Sequence, residues 1–410
     1  MNNILNKALI PIKENQYINL LMIIVPLLNF LSGITFDLHA PSLPAIANYF
    51  SAPISAAKNT ITVSMFGFAV GCILFGMLLD LFGRRRMILM GLILYATVSF
   101  LALLCSNIQL LLLIRFVQGL CVASLSVGSR TIIIDTFIGH NFKVALLYTS
   151  IAFGIGPIIA PFIGGILQYH FGWQANFITY GVVALFLAIL FGLYVNESRI
   201  KRSSPFSIKT LFLNYATALR HSGFNSGIII SGISQIQLLV YTTVGSFLII
   251  DSLHRSALVY GNSALMISCG YLLGTLTNRY FIKQLALYYL TNLGFILLVF
   301  SILLQLFFAC LGKLSLFTII LPIILIGFSN GFIFPNILSY CLRLFPHIAG
   351  ITTALFTCSI MVIGAVGIAL VSHINVENLI GLAFIYSLTT AGQLIIFFTH
   401  LRKQMQLSLT

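Results

Sequence analysis

The sequence predicts an all-α integral membrane protein with twelve transmembrane helices in two six-helix bundles. Three observations predict it. The chain is 59% hydrophobic and 7% charged, with a mean hydropathy of +1.07; a soluble domain is about 45–50% apolar and about 25% charged. Twelve apolar runs follow one another, each of the length that crosses a bilayer as a helix. The cations between these runs fall mostly on alternate loops.

The predicted spans are 18–40, 62–79, 87–105, 108–134, 144–168, 175–195, 224–250, 258–281, 286–310, 315–340, 349–372 and 378–400. With the N-terminus inside, the loops alternate between cytoplasm and exterior. Sixteen of the 21 cations then lie on cytoplasmic segments, Lys58, Arg255 and Lys313 lie on outer loops, and Arg115 and Arg130 lie within span 4. Cationic flanks stay inside, so both termini are expected to be cytoplasmic. The first run is longer than a signal-peptide core and reads as a retained helix. The net charge of +14 follows this loop pattern. No basic arm with interleaved aromatics accompanies it, so nucleic acid is not an expected partner.

The longest polar stretch, 196–223, holds Glu197, five cations and Ser203-Ser204-Pro205. It divides the spans six and six. The expected organisation is an N-terminal bundle at 1–195, a cytoplasmic linker at 196–223 and a C-terminal bundle at 224–410. Gly274-Thr275-Leu276-Thr277-Asn278-Arg279, at the end of span 8, echoes Gly76-Met77-Leu78-Leu79-Asp80 at the end of span 2. Paired halves of this kind mark repeat-built transporters.

Taken in order, span 1 runs toward Asp37, the only one of the seven acids to sit well inside a predicted span or at its extension. Such an acid is a functional candidate by default. Asn29 and Gly33 share its helix face. Spans 2 and 3 are joined by Gly76-x-Leu78-x-Asp80-x-x-Gly83-Arg84-Arg85-Arg86, where the arginines mark a cytoplasmic loop and Gly83 permits a tight reversal. In span 4, Arg115, Gln118, Gly119, Val122, Ser126 and Ser129 fall on one helix face, a polar stripe expected to line a water-filled interior. Span 5 reads Gly154-Ile155-Gly156-Pro157, then Ala160-Pro161 and Gly164-Gly165. Its small residues permit close helix contact and its prolines remove backbone donors. In the second half, Gln237 and Tyr241 of span 7 and Asn330 of span 10 are polar groups for a substrate cavity or for interhelical hydrogen bonds.

Enzymatic chemistry finds no support. Gly327-Phe328-Ser329-Asn330-Gly331 matches G-x-S-x-G, yet none of the eight histidines lies deep in a neighbouring span to act as its base. No nucleotide-binding motif is present, so no cofactor is expected. The seven cysteines form no CxxC pair, and neither a disulfide framework nor a metal site is expected.

The loop motif resembles motif A of the major facilitator superfamily of secondary transporters. Arg115-Phe116-Val117-Gln118-Gly119 resembles its motif B, and the span 5 segment resembles motif C of the antiporter branch. Asp37-Leu38-His39-Ala40-Pro41-Ser42-Leu43-Pro44 resembles the D-x-Y-x-P-x-L-P segment of the bacterial drug:proton antiporters of the Bcr/CflA type, with His39 in place of the usual Tyr. The resemblance implies two bundles around a central cavity and alternating access. It implies a monomer in lipid of the bacterial inner membrane, with protons and a small molecule as partners. Export of an amphipathic antibiotic or siderophore-like metabolite is the expected activity; import or facilitated movement of a specific metabolite is the alternative. The implied roles are proton coupling at Asp37 and Arg115, and a substrate cavity of Asn29, Gln118, Ser126, Gln237, Tyr241 and Asn330. Gating falls to Gly76, Asp80, Gly83, Arg84 and Asp135, with Arg84 paired to Asp135. Helix packing falls to Gly156, Pro157, Pro161 and Gly164.

Overall fold

The computed structural model describes residues 14–198, 215–345, 349–374, 376 and 378–407. Among them are twelve helices long and apolar enough to cross a membrane. We number them α1 Glu14–Asp37, α2 Ile54–Phe82, α3 Arg84–Leu101, α4 Ile108–Thr136, α5 Gly139–Phe171, α6 Gln174–Tyr194, α7 Ser222–Val240, α8 Ala257–Phe281, α9 Leu287–Leu311, α10 Leu316–Arg343, α11 Ala349–Ser372 and α12 Leu379–Ile396. The chain forms two compact units, Met1–Ser203 and Ser204–Thr410.

In the first unit, α2 packs along α4, α1 along α5, and α3 along α6. Glycines set the spacing. A Cβ at Gly67 would strike the Phe116 carbonyl, and one at Gly119 would strike the Ser64 carbonyl. The α1–α5 contact is equally close: a Cβ at Gly33 would lie 2.6 Å from the Phe153 carbonyl oxygen and 3.2 Å from Gly156 Cα. Pro157, four residues past Phe153, has no N–H to offer that carbonyl, so the exposed oxygen faces the one residue type in α1 that can approach it. In the second unit the same device recurs between α8 and α10, where a Cβ at Gly274 would strike the Phe328 carbonyl. Small residues permit this packing without water-driven collapse between helices.

Two boundaries differ from expectation. Span 2 begins at Ile54, and Lys58, expected on an outer loop, is buried at 2% exposure in its second turn. Lys58 and Asn59 interrupt the apolar run, so hydropathy alone begins the span later; Pro53 at the N-cap starts it earlier. The three arginines of the motif A segment are not in a loop. The reversal is Gly83 alone, at φ 97°, and Arg84 opens α3. A residue with a Cβ is disfavoured there.

Candidate functional site

The C-terminal end of α1 is the centre of a buried polar cluster in the first unit. Helix ends leave carbonyls without partners. At α1 the Thr35 carbonyl accepts from Arg115 Nη2 at 2.8 Å and from Tyr180 Oη at 2.9 Å. Arg115 Nη1 donates to Gln118 Oε1 at 2.7 Å, and its Nε donates to the Thr60 carbonyl at 3.4 Å. Its guanidinium also lies 5.6 Å from the Tyr180 ring centre, within cation–π range. Gln118 in turn donates to Ser99 Oγ at 2.7 Å. Asp37, the last residue of α1, is 7% exposed and lies two residues past Thr35. His39 follows two residues later, with Nδ1 3.3 Å from Tyr180 Oη and Nε2 3.1 Å from Thr60 Oγ1. Arg115 is fully buried and does not reach to the surface.

The stripe on α4 is packed inside the unit, not laid along an open interior. Gln118 and Ser129 have no exposure and Ser126 has 4%. Asn29 Nδ2 donates to Ser129 Oγ, and Ser129 Oγ donates to the Ser126 carbonyl at 2.9 Å. The sequence displays polarity on one helix face; only packing tells whether that face meets water or another helix.

Motif A ties together the ends of four helices. Arg84 Nη2 lies 2.7 Å from Asp80 Oδ1, and its Nε donates to Asp135 Oδ2 at 2.8 Å. Its Nη1 donates to the Leu79 carbonyl at 3.0 Å, near the end of α2. Arg85 donates to the Val195 and Gly192 carbonyls at 2.6 and 2.7 Å, near the end of α6. The N-terminus of α3 is closed by Glu197, whose two oxygens accept from the Arg84 and Arg85 N–H groups at 2.8 and 3.1 Å. A carboxylate suits a helix N-terminus, and here it also offsets three arginines placed where the helix dipole disfavours them. Gly76, one turn before Asp80, has nothing within 4 Å of an added Cβ.

Motif C packs on α1. A Cβ at Gly156 would lie 2.7 Å from Gly33 Cα, and one at Gly164 would strike the Leu38 carbonyl, next to Asp37. Pro157 and Pro161 lie within one continuous helix.

The second unit holds an uncharged network. Gln237 Oε1 accepts from Asn330 Nδ2 at 3.0 Å, and its Nε2 donates to Thr390 Oγ1 at 3.0 Å and Gln393 Oε1 at 3.2 Å. Tyr241 Oη lies 2.5 Å from Ser263 Oγ, and its ring stacks on Tyr260. Tyr241 begins a π-helical turn, Tyr241–Gly245, a feature frequent at functional sites. Asn278 and Asn336 exchange amide hydrogen bonds at 3.1 and 3.0 Å. Asn278 stands where the repeat places a counterpart of Asp80, so the second unit has a neutral clasp with Asn336 where the first has an ionic one. Ser329 Oγ donates to the Leu325 carbonyl at 2.7 Å and is not turned toward a histidine.

The family model described as Major Facilitator Superfamily matches residues 27–368. The chain belongs to the major facilitator superfamily. This facilitator is 25% identical to a bicyclomycin resistance protein homolog of Haemophilus influenzae, over 55% of this chain and 56% of that one. It is 27% identical to the multidrug transporter MdfA of Edwardsiella ictaluri, over 61% of each. The facilitator thus spans 56% and 61% of the length of these two relatives. Its fold matches the crystal structure of a D-xylose–proton symporter with a TM-score of 0.72 at 16% identity, covering 93% of this chain and 97% of that one. It is a multi-pass transporter of the bacterial inner membrane and not an enzyme.

Sequence reasoning missed Tyr180, Glu197 and Gln393 as site residues. Glu197 had a signal, since an acid beside a cation-rich linker suggests a partner. Tyr180 and Gln393 had none, being single polar residues in apolar spans.

Proposed function

We propose that this facilitator exports a small amphipathic molecule, an antibiotic or a siderophore-like metabolite, in exchange for protons. The supporting observation is the place of Asp37. It ends α1 inside the polar cluster built by Arg115, Tyr180 and His39, whereas Asp80 and Asp135 are held by Arg84 and Glu197 closes α3. Among the described acids of the first unit that leaves Asp37 as the carboxylate for the proton, since Glu14 stands at the opposite end of α1. Arg115 serves by positioning: it holds the α1 terminus two residues away and keeps a positive charge near the acid. Burial raises a carboxyl's proton affinity and a nearby cation lowers it, so a small movement of α1 against Arg115 alternates the two. A swing equivalent to two pKa units needs only about 2.7 kcal/mol. Each unit is proposed to offer its buried polar groups to the substrate when its helices move apart: Asn29, Gln118 and Ser126 in the first, Gln237, Tyr241 and Asn330 in the second. Motif A, at the cytoplasmic ends of α2 and α3, is proposed as the gate. The names of the drug-resistance relatives support export.

The test uses proteoliposomes with an imposed pH gradient and a panel of antibiotics and siderophore-like chelators. Asp37→Asn is expected to lose proton-driven uphill transport while retaining substrate binding, since Asn resembles the protonated acid. Uphill transport with proton release in that variant would place the carrier elsewhere. Counterflow that is independent of the proton gradient would favour facilitated movement of a metabolite.

A further inference from the structure

Charge is unevenly placed in the second unit. Arg279, Lys283, Arg343, Arg402 and Lys403 lie at the end where α8 and α10 finish and α9 begins. The unit has two acids, Asp251 and Glu377. Asp251 precedes α8, whose 25 residues carry the chain about 37 Å to the cationic end. Glu377 lies outside the described residues. Topology accounts for cations at this end, which is expected to face the cytoplasm. It does not account for a cavity among them.

That cavity has a volume of about 370 Å³ and lies within the second unit. Its walls are the α8–α9 turn, the first turn of α9, the end of α10 and the helical turn Arg402–Leu407 beyond α12. Leu285, Leu344 and Met405 give it an apolar part; Tyr288, Tyr340 and Arg343 are its polar lining. Tyr288 is 6% exposed, and its Oη accepts from Arg402 Nε at 3.0 Å and from Gln406 Nε2 at 2.8 Å. Both lone pairs of the hydroxyl are then taken, while its own proton has no acceptor among the described residues. Tyr340 differs, since its Oη donates to Gln404 Oε1 at 3.4 Å. α9 begins without a side-chain cap, and the N–H groups of Leu287 and Tyr288 have no acceptor among the described residues. Arg343 is exposed and makes no ion pair among them. A guanidinium, a spare hydroxyl proton and the positive end of a long helix thus border one cavity, and all three favour an anion.

We propose that this cavity binds a phosphate group with an apolar substituent, the phosphate on Arg343 and Tyr288 and the substituent on Leu285, Leu344 and Met405. The guanidinium fork matches a phosphate with two parallel hydrogen bonds. The headgroup phosphate of a phospholipid and a soluble phosphate ester share this chemistry. Basic pockets between spanning helices on the cytoplasmic side suit anionic lipids, and the apolar part of the cavity suits the start of an acyl chain. No described acid of this unit lies at this end to pair with an ammonium group, so phosphatidylglycerol is favoured over phosphatidylethanolamine. The binding does not rest on the exporter reading.

The test is thermal unfolding of the full chain in a neutral detergent, titrated with phosphatidylglycerol, phosphatidylethanolamine or glycerol 3-phosphate. A ligand of the folded state stabilises it in proportion to its occupancy. Wild type is expected to be stabilised by phosphatidylglycerol and less by phosphatidylethanolamine. Arg343→Gln should bind phosphatidylglycerol at least about tenfold more weakly, as befits a lost charge-assisted pair. Ala286→Phe keeps every cation and fills the cavity, which Ala286 lines, and should lose the response. Lys283→Gln removes a charge at the same end outside the lining, and should weaken binding by no more than about twofold, since exposed charges are screened. A response to phosphatidylglycerol alone supports the site with a lipid as its source. A response to glycerol 3-phosphate that Arg343→Gln loses supports it with a soluble ester. No stabilisation of wild type, or equal stabilisation by the two lipids without a response to the ester, overturns the proposal. So does an unchanged response in Arg343→Gln or Ala286→Phe, or a loss in Lys283→Gln as large as in Arg343→Gln.

Discussion

Tyr180 and Arg115 meet on one acceptor, the carbonyl of Thr35, from helices 65 residues apart in sequence. The carbonyl belongs to the last turn of α1 and would otherwise be an orphan. Tyr180→Phe removes one donor and leaves Arg115 in place. The expected cost is about 1 kcal/mol of stability, read by thermal unfolding, with a shifted pH profile of transport because Asp37 is two residues away. Arg115→Lys cannot span Thr35, Thr60 and Gln118 together and should abolish uphill transport. A wild-type pH profile in Tyr180→Phe would detach this cap from coupling.

Glu197 makes a graded series possible at the start of α3. Glu197→Gln keeps an acceptor and loses the charge, whereas Glu197→Ala loses both. Loss of a cap costs about 0.5–2 kcal/mol, so Ala should be the worse of the two in unfolding assays. Gly83→Ala attacks the same contact from the other side, since its Cβ would meet the Glu197 carboxylate at a φ of 97°. Equal stability of all three variants would show that α3 does not depend on this cap.

Asp80→Asn keeps the arginines that direct topology and removes one of the two carboxylates on Arg84. Membrane insertion is expected to be normal and transport reduced. Protease accessibility of the linker, compared with wild type, checks the first; proteoliposome flux checks the second. Normal flux would remove motif A from the gating role.

Gly164→Leu forces a side chain into the Leu38 backbone beside Asp37. Overpacking costs about 1–3 kcal/mol, and the expected result is lost transport or a proton leak. Gly154→Leu is the control, because nothing lies within 4 Å of its Cβ. If both variants behave alike, the α1–α5 contact does not matter for transport.

Much of the architecture is legible in the sequence because hydropathy and helical period are local properties. Twelve apolar runs, the loop charge and the spacing from Gly76 to Arg86 lie within single segments. The Arg84–Asp135 pair is also readable, though only through the resemblance, since nothing local joins residues on separate spans. Lys58 shows the limit: one cation in an apolar helix looks like a loop until it is seen to be buried.

Local composition and spacing suffice for the class, the number of spans and the residue types available for chemistry. The tertiary structure decided who meets whom. The α4 stripe could face water or protein, and α1 covers it through Asn29. Glu197 could belong to the linker, and it closes α3. The physical reason is that a helix presents a face by its period, whereas the partner of that face is chosen by close packing across tens of residues of chain.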